Sequence, residues 1–362
     1  MVILNLTMPK FPVIGLALAF ALGGLASAQH TSPKNSKDGP AARKAPLRLL
    51  HTTLLPGIDG DFDHFGVDLK GNRLFLTAED HSSVEVFDLK GKHIHSIPGF
   101  KTPHYVRYLP DQNKLLVVDG GAGEIKFLKG DTYQPIDSVK VLLDADSSVF
   151  DSSANILYNV NGGKDAGNLP YSNISIIDAK QDKRLGDVRI ESKTVEALGL
   201  EKSGKRLFAN ATANSQLVVI DRDKRTILSK WPISAGERNV PMALDEANRR
   251  LFVVTRTNPH FIVLDMESGN QVATLPAGEG TDDMFFDEQH KRIYASAREG
   301  IIFVYEQKDA DHYELIAKVA SAPGGKTSLF VPELNRYYVA VSRAEGKKQG
   351  AKVAKIQIFS VQ

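Results

Sequence analysis

The stretch DEANRRLFV, residues 245–253, carries Asp and Asn side chains that can bond their own backbone, so it encodes a tight turn running into an apolar strand. The same arrangement stands as DLKGNRLFL from residue 68, LPDQNKLLV from 109, DSSANILYN from 151, EKSGKRLFA from 201, DEQHKRIYA from 287 and VPELNRYYV from 331. The first apolar positions of the seven copies are Leu74, Leu115, Leu157, Leu207, Leu251, Ile293 and Tyr337, spaced by 41, 42, 50, 44, 42 and 44 residues. A period in the forties with strand-type patterning alone is that of a β-propeller in which each repeat is one four-stranded blade.

The fifth repeat shows the internal logic. VPMALD, RLFVVTR, HFIVLDM and NQVATLPAG are short β-branched or aromatic runs separated by Asp, Asn, Gly and Glu, the pattern of a four-strand meander. The seventh repeat supplies only SLFV, RYYVAVS and AKIQIFSV before Gln362, while residues 47–56, LRLLHTTLLP, have strand character and no blade of their own. An all-β ring of seven four-stranded antiparallel blades over residues 47–362 is therefore expected, closed by this N-terminal strand in the last blade so that no open edge remains.

Composition excludes several classes. The chain has no cysteine, which removes disulfides, thiol catalysis and a lipidated N-terminal Cys, and its net charge of +2 gives no basic excess for nucleic acid. Lys10, the apolar run FPVIGLALAFALGGL (11–25) and the small residues Ala26, Ser27 and Ala28 read as a secretory signal over 1–28, cleaved before Gln29. Residues 29–46, rich in Pro, Ser and Lys, read as a flexible linker. The expectation is an exported monomer, periplasmic or secreted, with no membrane span after cleavage and no nucleic-acid partner.

RRLFVVTRTNPHFIVLDMESGNQVATLPAG (249–278) resembles the YVTN-type repeat of seven-bladed propellers, the YncE-like proteins of bacterial envelopes included, and KRLFANATANSQLVVIDRDKRTILSKWPI (205–233) is similar. In both, an aromatic-rich strand and a polar loop precede a V-x-D strand and then a V-x-x-x-P outer strand. Blades one, two, three and seven depart from this pattern, and blade three carries the insertion GGKDAGNLPYSN (162–173). The resemblance implies a fold and an envelope location, and no shared activity, because propellers serve many functions.

The repeat register names the residues at one mouth of the channel. Five positions before each aligned turn stand Asp63, His104, Asp146, Glu196, Val240, Asp282 and Lys326, followed by His64, Tyr105, Ser147, Ala197, Pro241, Asp283 and Thr327, with Asn239 as neighbour. Such a ring is more polar than core packing requires. Its oxygens and imidazoles could hold a divalent cation, calcium or zinc, the one cofactor the sequence points to. Glu196, Asn239 and Asp282, from three consecutive blades, resemble the Glu, Asn and Asp metal ligands of lactonase-type propellers.

Other motifs carry less. DGDFD (59–63) alternates acids as a calcium loop does, but its twelfth position is Lys70, not the bidentate Glu such a loop needs. His93 and His95 share one face of an outer strand, and Lys347, Lys348, Lys352 and Lys355 sit in a solvated hairpin tip. GxSxG, HExxH, GxGxxG and phosphate-loop signatures are missing. The expected function is a scaffold that binds a small molecule or an envelope protein at the channel mouth. The alternative is a metal-dependent lactonase-like hydrolase.

Overall fold

The structure, a computed structural model, describes residues 44–343 and 350–362. The signal, most of the linker, and Lys347 and Lys348 lie outside the described residues. From Leu47 onward the chain forms seven separate four-stranded antiparallel sheets, the blades of a β-propeller. The innermost strands, in blade order, are Phe62–Asp68, Pro103–Leu109, Ser148–Asp151, Leu198–Leu200, Glu237–Asp245, Asp283–Asp287 and Thr327–Val331.

The recurring turn has a conformational cause. Its fifth residue is left-handed in six of the seven blades: Asn72, Asn113, Asn155, Arg249, Lys291 and Asn335 have φ between 46° and 57°. Asn adopts that region more readily than other L residues, which explains why it fills four of the six positions. The first residue of the turn caps it: Oδ1 of Asp151 and Asp287 accepts the backbone N–H groups two and three positions on, and Oδ1 of Asp68 and Asp245 the one three positions on, at 2.9–3.2 Å. Blades two and seven have Leu109 and Val331 in that first position, followed by Pro, and turn through a short 3-10 helix, Pro110–Gln112 and Pro332–Leu334.

Blades pack face to face, so their middle strands are covered on both sides and read as unbroken apolar runs, as in Arg73–Ala78 and Lys114–Asp119. Phe75, Val84 and Val86 of blade one share a core with Val106, Leu115 and Val117 of blade two, and Phe252 and Phe261 of blade five with Met284 and Tyr305 of blade six. Each fully buried aromatic of this kind is worth about 2–3 kcal/mol of transfer free energy. Outer strands face solvent, as His93–Pro98 does with five of its six residues exposed and only Ile97 buried.

The ring closes as its ends require. The strand Leu47–Leu54 pairs antiparallel with Lys355–Val361, from Leu47 opposite Val361 to Leu54 opposite Lys355, and becomes the outer strand of blade seven. Leu55 N–H to Ala354 O at 2.8 Å and Gln362 N–H to Pro46 O at 3.0 Å extend the ladder at both ends. Among the described residues, no helix is long and apolar enough to cross a membrane.

Candidate functional site

The innermost strands begin around a basin of about 510 Å3 at one mouth of the channel. Two β-bulges shape its wall. In blade one, Phe62 stands opposite Ala78 and Phe65 opposite Leu76, so Asp63 and His64 together oppose Thr77. In blade two, an extra residue, His104, lies between the Pro103–Asp119 and Tyr105–Val118 pairs. A bulge re-aims side chains that a regular ladder would alternate, and here it lets consecutive polar residues line the basin. Thr77 Oγ1 ties the two bulges together, accepting from His64 N–H at 2.9 Å and lying 3.0 Å from His104 O.

Asp63, His64, His104, Tyr105, Asp146, Glu196, Asp282, Asp283 and Lys326 all line this basin. Asn239 does not. A bulge between Asn239 and Met242 turns its fully buried amide toward blade four, where Nδ2 donates to Asn210 Oδ1 at 2.6 Å and Gln216 O at 3.0 Å. Val240, Pro241 and Met242 stand on the lining in its place. Glu196, Asn239 and Asp282 are thus not brought to one open point. Of the side candidates, His93 bonds Glu85 at 2.7 Å on the outer rim and His95 stacks on Tyr133. A second depression of about 680 Å3, lined by Leu50, Leu89 and Ile358 among others, also lies on that rim.

On the side where blade seven meets blade one, every charge has a partner. Asp282 is clasped by Lys326 Nζ and Arg256 Nη2. Arg298 Nη2 donates to Asp61 Oδ2 at 2.9 Å, and Ser342 Oγ to Asp61 Oδ1 at 2.5 Å. Lys326 Nζ and Thr327 Oγ1, from blade seven, donate to Phe62 O of blade one at 3.3 and 2.9 Å. Burial opposes ionisation of Asp282, but Lys326 and Arg256 outweigh it and hold the carboxyl at about 2. The Lys326 ammonium is correspondingly held well above its ordinary value.

The opposite side, from blade one to blade four, is acid-rich. His104 Nδ1 meets Asp63 Oδ2 at 2.7 Å and lies 3.9 Å from Asp146 Oδ1. Burial works against its charge, yet Asp146 and Asp63 lift His104 to about 10. Beyond this pair, Glu79, Asp144 and Glu196 make no side-chain hydrogen bond or ion pair among the described residues. Burial, with Asp146 close by, pushes Glu196 up to about 8; burial and Asp63 push Glu79 to about 7. Asp146 rises to about 6 by burial and the Asp63 charge, against the pull of His104. Carboxylates so placed favour protons or an incoming cation.

Comparison with known proteins agrees with this ring. The "Uncharacterized protein YncE" of Escherichia coli O157:H7 is 27% identical over 175 residues, 47% of this chain and 47% of that one. Its counterpart in Salmonella typhimurium is 23% identical over 242 residues, 66% and 65% of the two chains. In sequence and fold, the chain is similar to the YncE-like propellers. The chain spans about half the length of the first of these relatives. No family model matches it. Among solved structures, U3-55K superposes with a TM-score of 0.68 at 11% identity, covering 85% of this chain and 98% of that one, a likeness of fold alone.

In this YncE-like ring a second circle of basin residues escapes the first-strand register. Seven positions after the fifth turn residue, each second strand arrives at the same mouth, which gives Glu79, Gly120, Gly162, Thr212, Arg256, Arg298 and Ser342. Glu79, Arg256 and Arg298 from that set line the basin, and Asp165 of the blade-three insertion joins them. Gly120 is required there: a Cβ would stand 2.6 Å from Ala145 O and 2.7 Å from His104 Cδ2, so only glycine leaves room for the imidazole.

Proposed function

We propose that the protein is an exported binding propeller whose channel mouth takes a small ligand carrying positive charge or many hydrogen-bond donors. The observation that carries this is the imbalance of the basin. Its cations Lys326, Arg256, Arg298 and His104 are already engaged by Asp282, Asp61 and Asp63, and Arg107 turns to Ser152 and the Phe150 ring, while Glu79, Asp144 and Glu196 keep acceptor oxygens without a partner among the described residues. These half-buried carboxyls have their pKa values raised by burial and neighbouring acids, a mutual repulsion that a cationic or donor-rich ligand would relieve. Asp165, from the insertion in blade three, adds a further carboxylate to the rim. Export rests on the apolar run 11–25 and the small residues 26–28 of the sequence.

The hydrolase reading built on Glu196, Asn239 and Asp282 lacks such support, since Asn239 faces blade four and Asp282 is clasped by two cations. Thermal melts of the whole chain with 1,4-diaminobutane, a hexitol and succinate test the binding reading. The diamine should raise the melting temperature by mass action, succinate should not, and Glu196→Gln should reduce the diamine shift. A shift with succinate alone would overturn it.

A further inference from the structure

Within the acid-rich half, Asp63, His64 and Asp146 each offer one ligand atom, and the three atoms lie within 4.8 Å of one another. We infer that these three residues form a seat for a divalent transition-metal ion, with Asp283 and His104 as its outer shell. The inference rests on the binding reading above, because it places one specific cation in the half of the basin that receives positive charge.

Three features of the geometry carry it. First, His64 stands between two carboxylates without bonding either: Nε2 lies 3.7 Å from Asp63 Oδ1 and Nδ1 lies 3.6 Å from Asp283 Oδ1. Those separations are too long for hydrogen bonds. The Nε2 to Asp63 separation matches ligand-to-ligand spacing, because two atoms each about 2.1 Å from a tetrahedral zinc ion are about 3.4 Å apart. Drawing the three atoms of the seat to that spacing takes a movement of about 1.4 Å or less, within the reach of side-chain rotation.

Second, the carboxylates of an outer shell stand beside the seat, Asp283 within a small ring turn of a hydrogen bond to His64. A metal-bound histidine commonly turns its other nitrogen to a carboxylate, which fixes the tautomer and the ring. Asp283 occupies that position beside His64 Nδ1, and is itself held by the Ser328 N–H at 2.7 Å. Asp63 is oriented in the same way, since its Oδ2 is engaged by His104 Nδ1 at 2.7 Å and its Oδ1 is left toward His64. Third, the donor set discriminates. One imidazole nitrogen with carboxylate oxygens suits zinc and its neighbours better than calcium or magnesium, which take oxygen alone.

The test uses the whole chain, stripped with chelator and dialysed against zinc, with metal counted by atomic emission. One zinc ion per chain is expected, and its loss in His64→Ala. Asp146→Asn, nearly isosteric, should weaken zinc at least about tenfold even if His64→Ala folds poorly, and Asp283→Asn should weaken it about tenfold through the outer shell. His312→Ala and His93→Ala remove imidazoles elsewhere on the surface and should leave the count unchanged. Zinc retained at full affinity in Asp146→Asn, or none bound by wild type, would overturn the seat. The diamine melt on zinc-free protein is read alongside: if the diamine binds and zinc does not, only the metal seat falls, and if neither binds, the binding reading falls with it.

Discussion

The two halves of the channel mouth use the same residue types for opposite ends. Between blades six, seven and one, Asp282, Lys326, Asp61 and Arg298 neutralise one another across blade boundaries, and Lys326 and Thr327 reach over to Phe62 O. Blade seven is built from both ends of the chain and is closed by strand pairing, not by a covalent link, and these pairs brace its inner strand while the strand Leu47–Leu54 fastens its outer edge. Blades one to four are each built from one continuous stretch of chain and need no such bracing. There Glu79, Asp146 and Glu196 share the basin wall with pKa values raised by burial and by neighbouring carboxylates, Asp63 for the first two and Asp146 for Glu196. Charge at the seam belongs to stability, and charge opposite it is left over for a ligand.

The largest effect that would test this division is at the seam. Lys326→Met leaves Asp282 and Asp61 without their shared buried cation, since the Lys326 side chain is only 7% exposed. Removing one partner of a buried pair should cost about 3 kcal/mol in urea unfolding. An unfolding midpoint equal to wild type would place the seam pairs among decorative contacts and erase the distinction between the halves.

A smaller effect, of opposite sign, is expected across the mouth. Glu196 keeps its proton in the folded ring to about 8 and Glu79 to about 7, against an ordinary 4.5 for both in the unfolded chain. Between those limits the folded state binds more protons, so the stability these two contribute is present at the acid side and lost as pH rises through 7 and 8. Glu196→Gln mimics the protonated acid. Its advantage over wild type should be smallest at acid pH and grow to at least about 1 kcal/mol at pH 9, flattening the pH profile. A variant destabilised at both pH values would mean that Glu196 makes a structural bond.

Much of this was legible before any coordinates. The left-handed fifth position of the turn selects Asn72, Asn113, Asn155 and Asn335, and its capping Asp recurs at 68, 151, 245 and 287, so local chemistry alone marks the blade period. Once the turn is fixed, strand geometry carries the register back to the mouth and finds Asp63, His104, Asp146, Glu196 and Asp282. The same register finds Val240, but its neighbour Asn239 does not share the mouth, because the bulge before Met242 turns that amide toward blade four. It also leaves out Arg256, Arg298 and Glu79, which reach the basin from the far ends of the second strands. Which acids are paired was not legible at all, because Lys326 and Asp282 stand 44 positions apart and only the ring brings them together.

The most direct test of the division is to see where positive charge settles. A crystal of the whole chain soaked in 1,4-diaminobutane should show the diamine among Asp146, Glu196 and Glu79, with the Lys326–Asp282 and Arg298–Asp61 pairs undisturbed. Diamine bound at Asp282 with Lys326 displaced, or a basin on the blade one to four side left to water at saturating diamine, would contradict it.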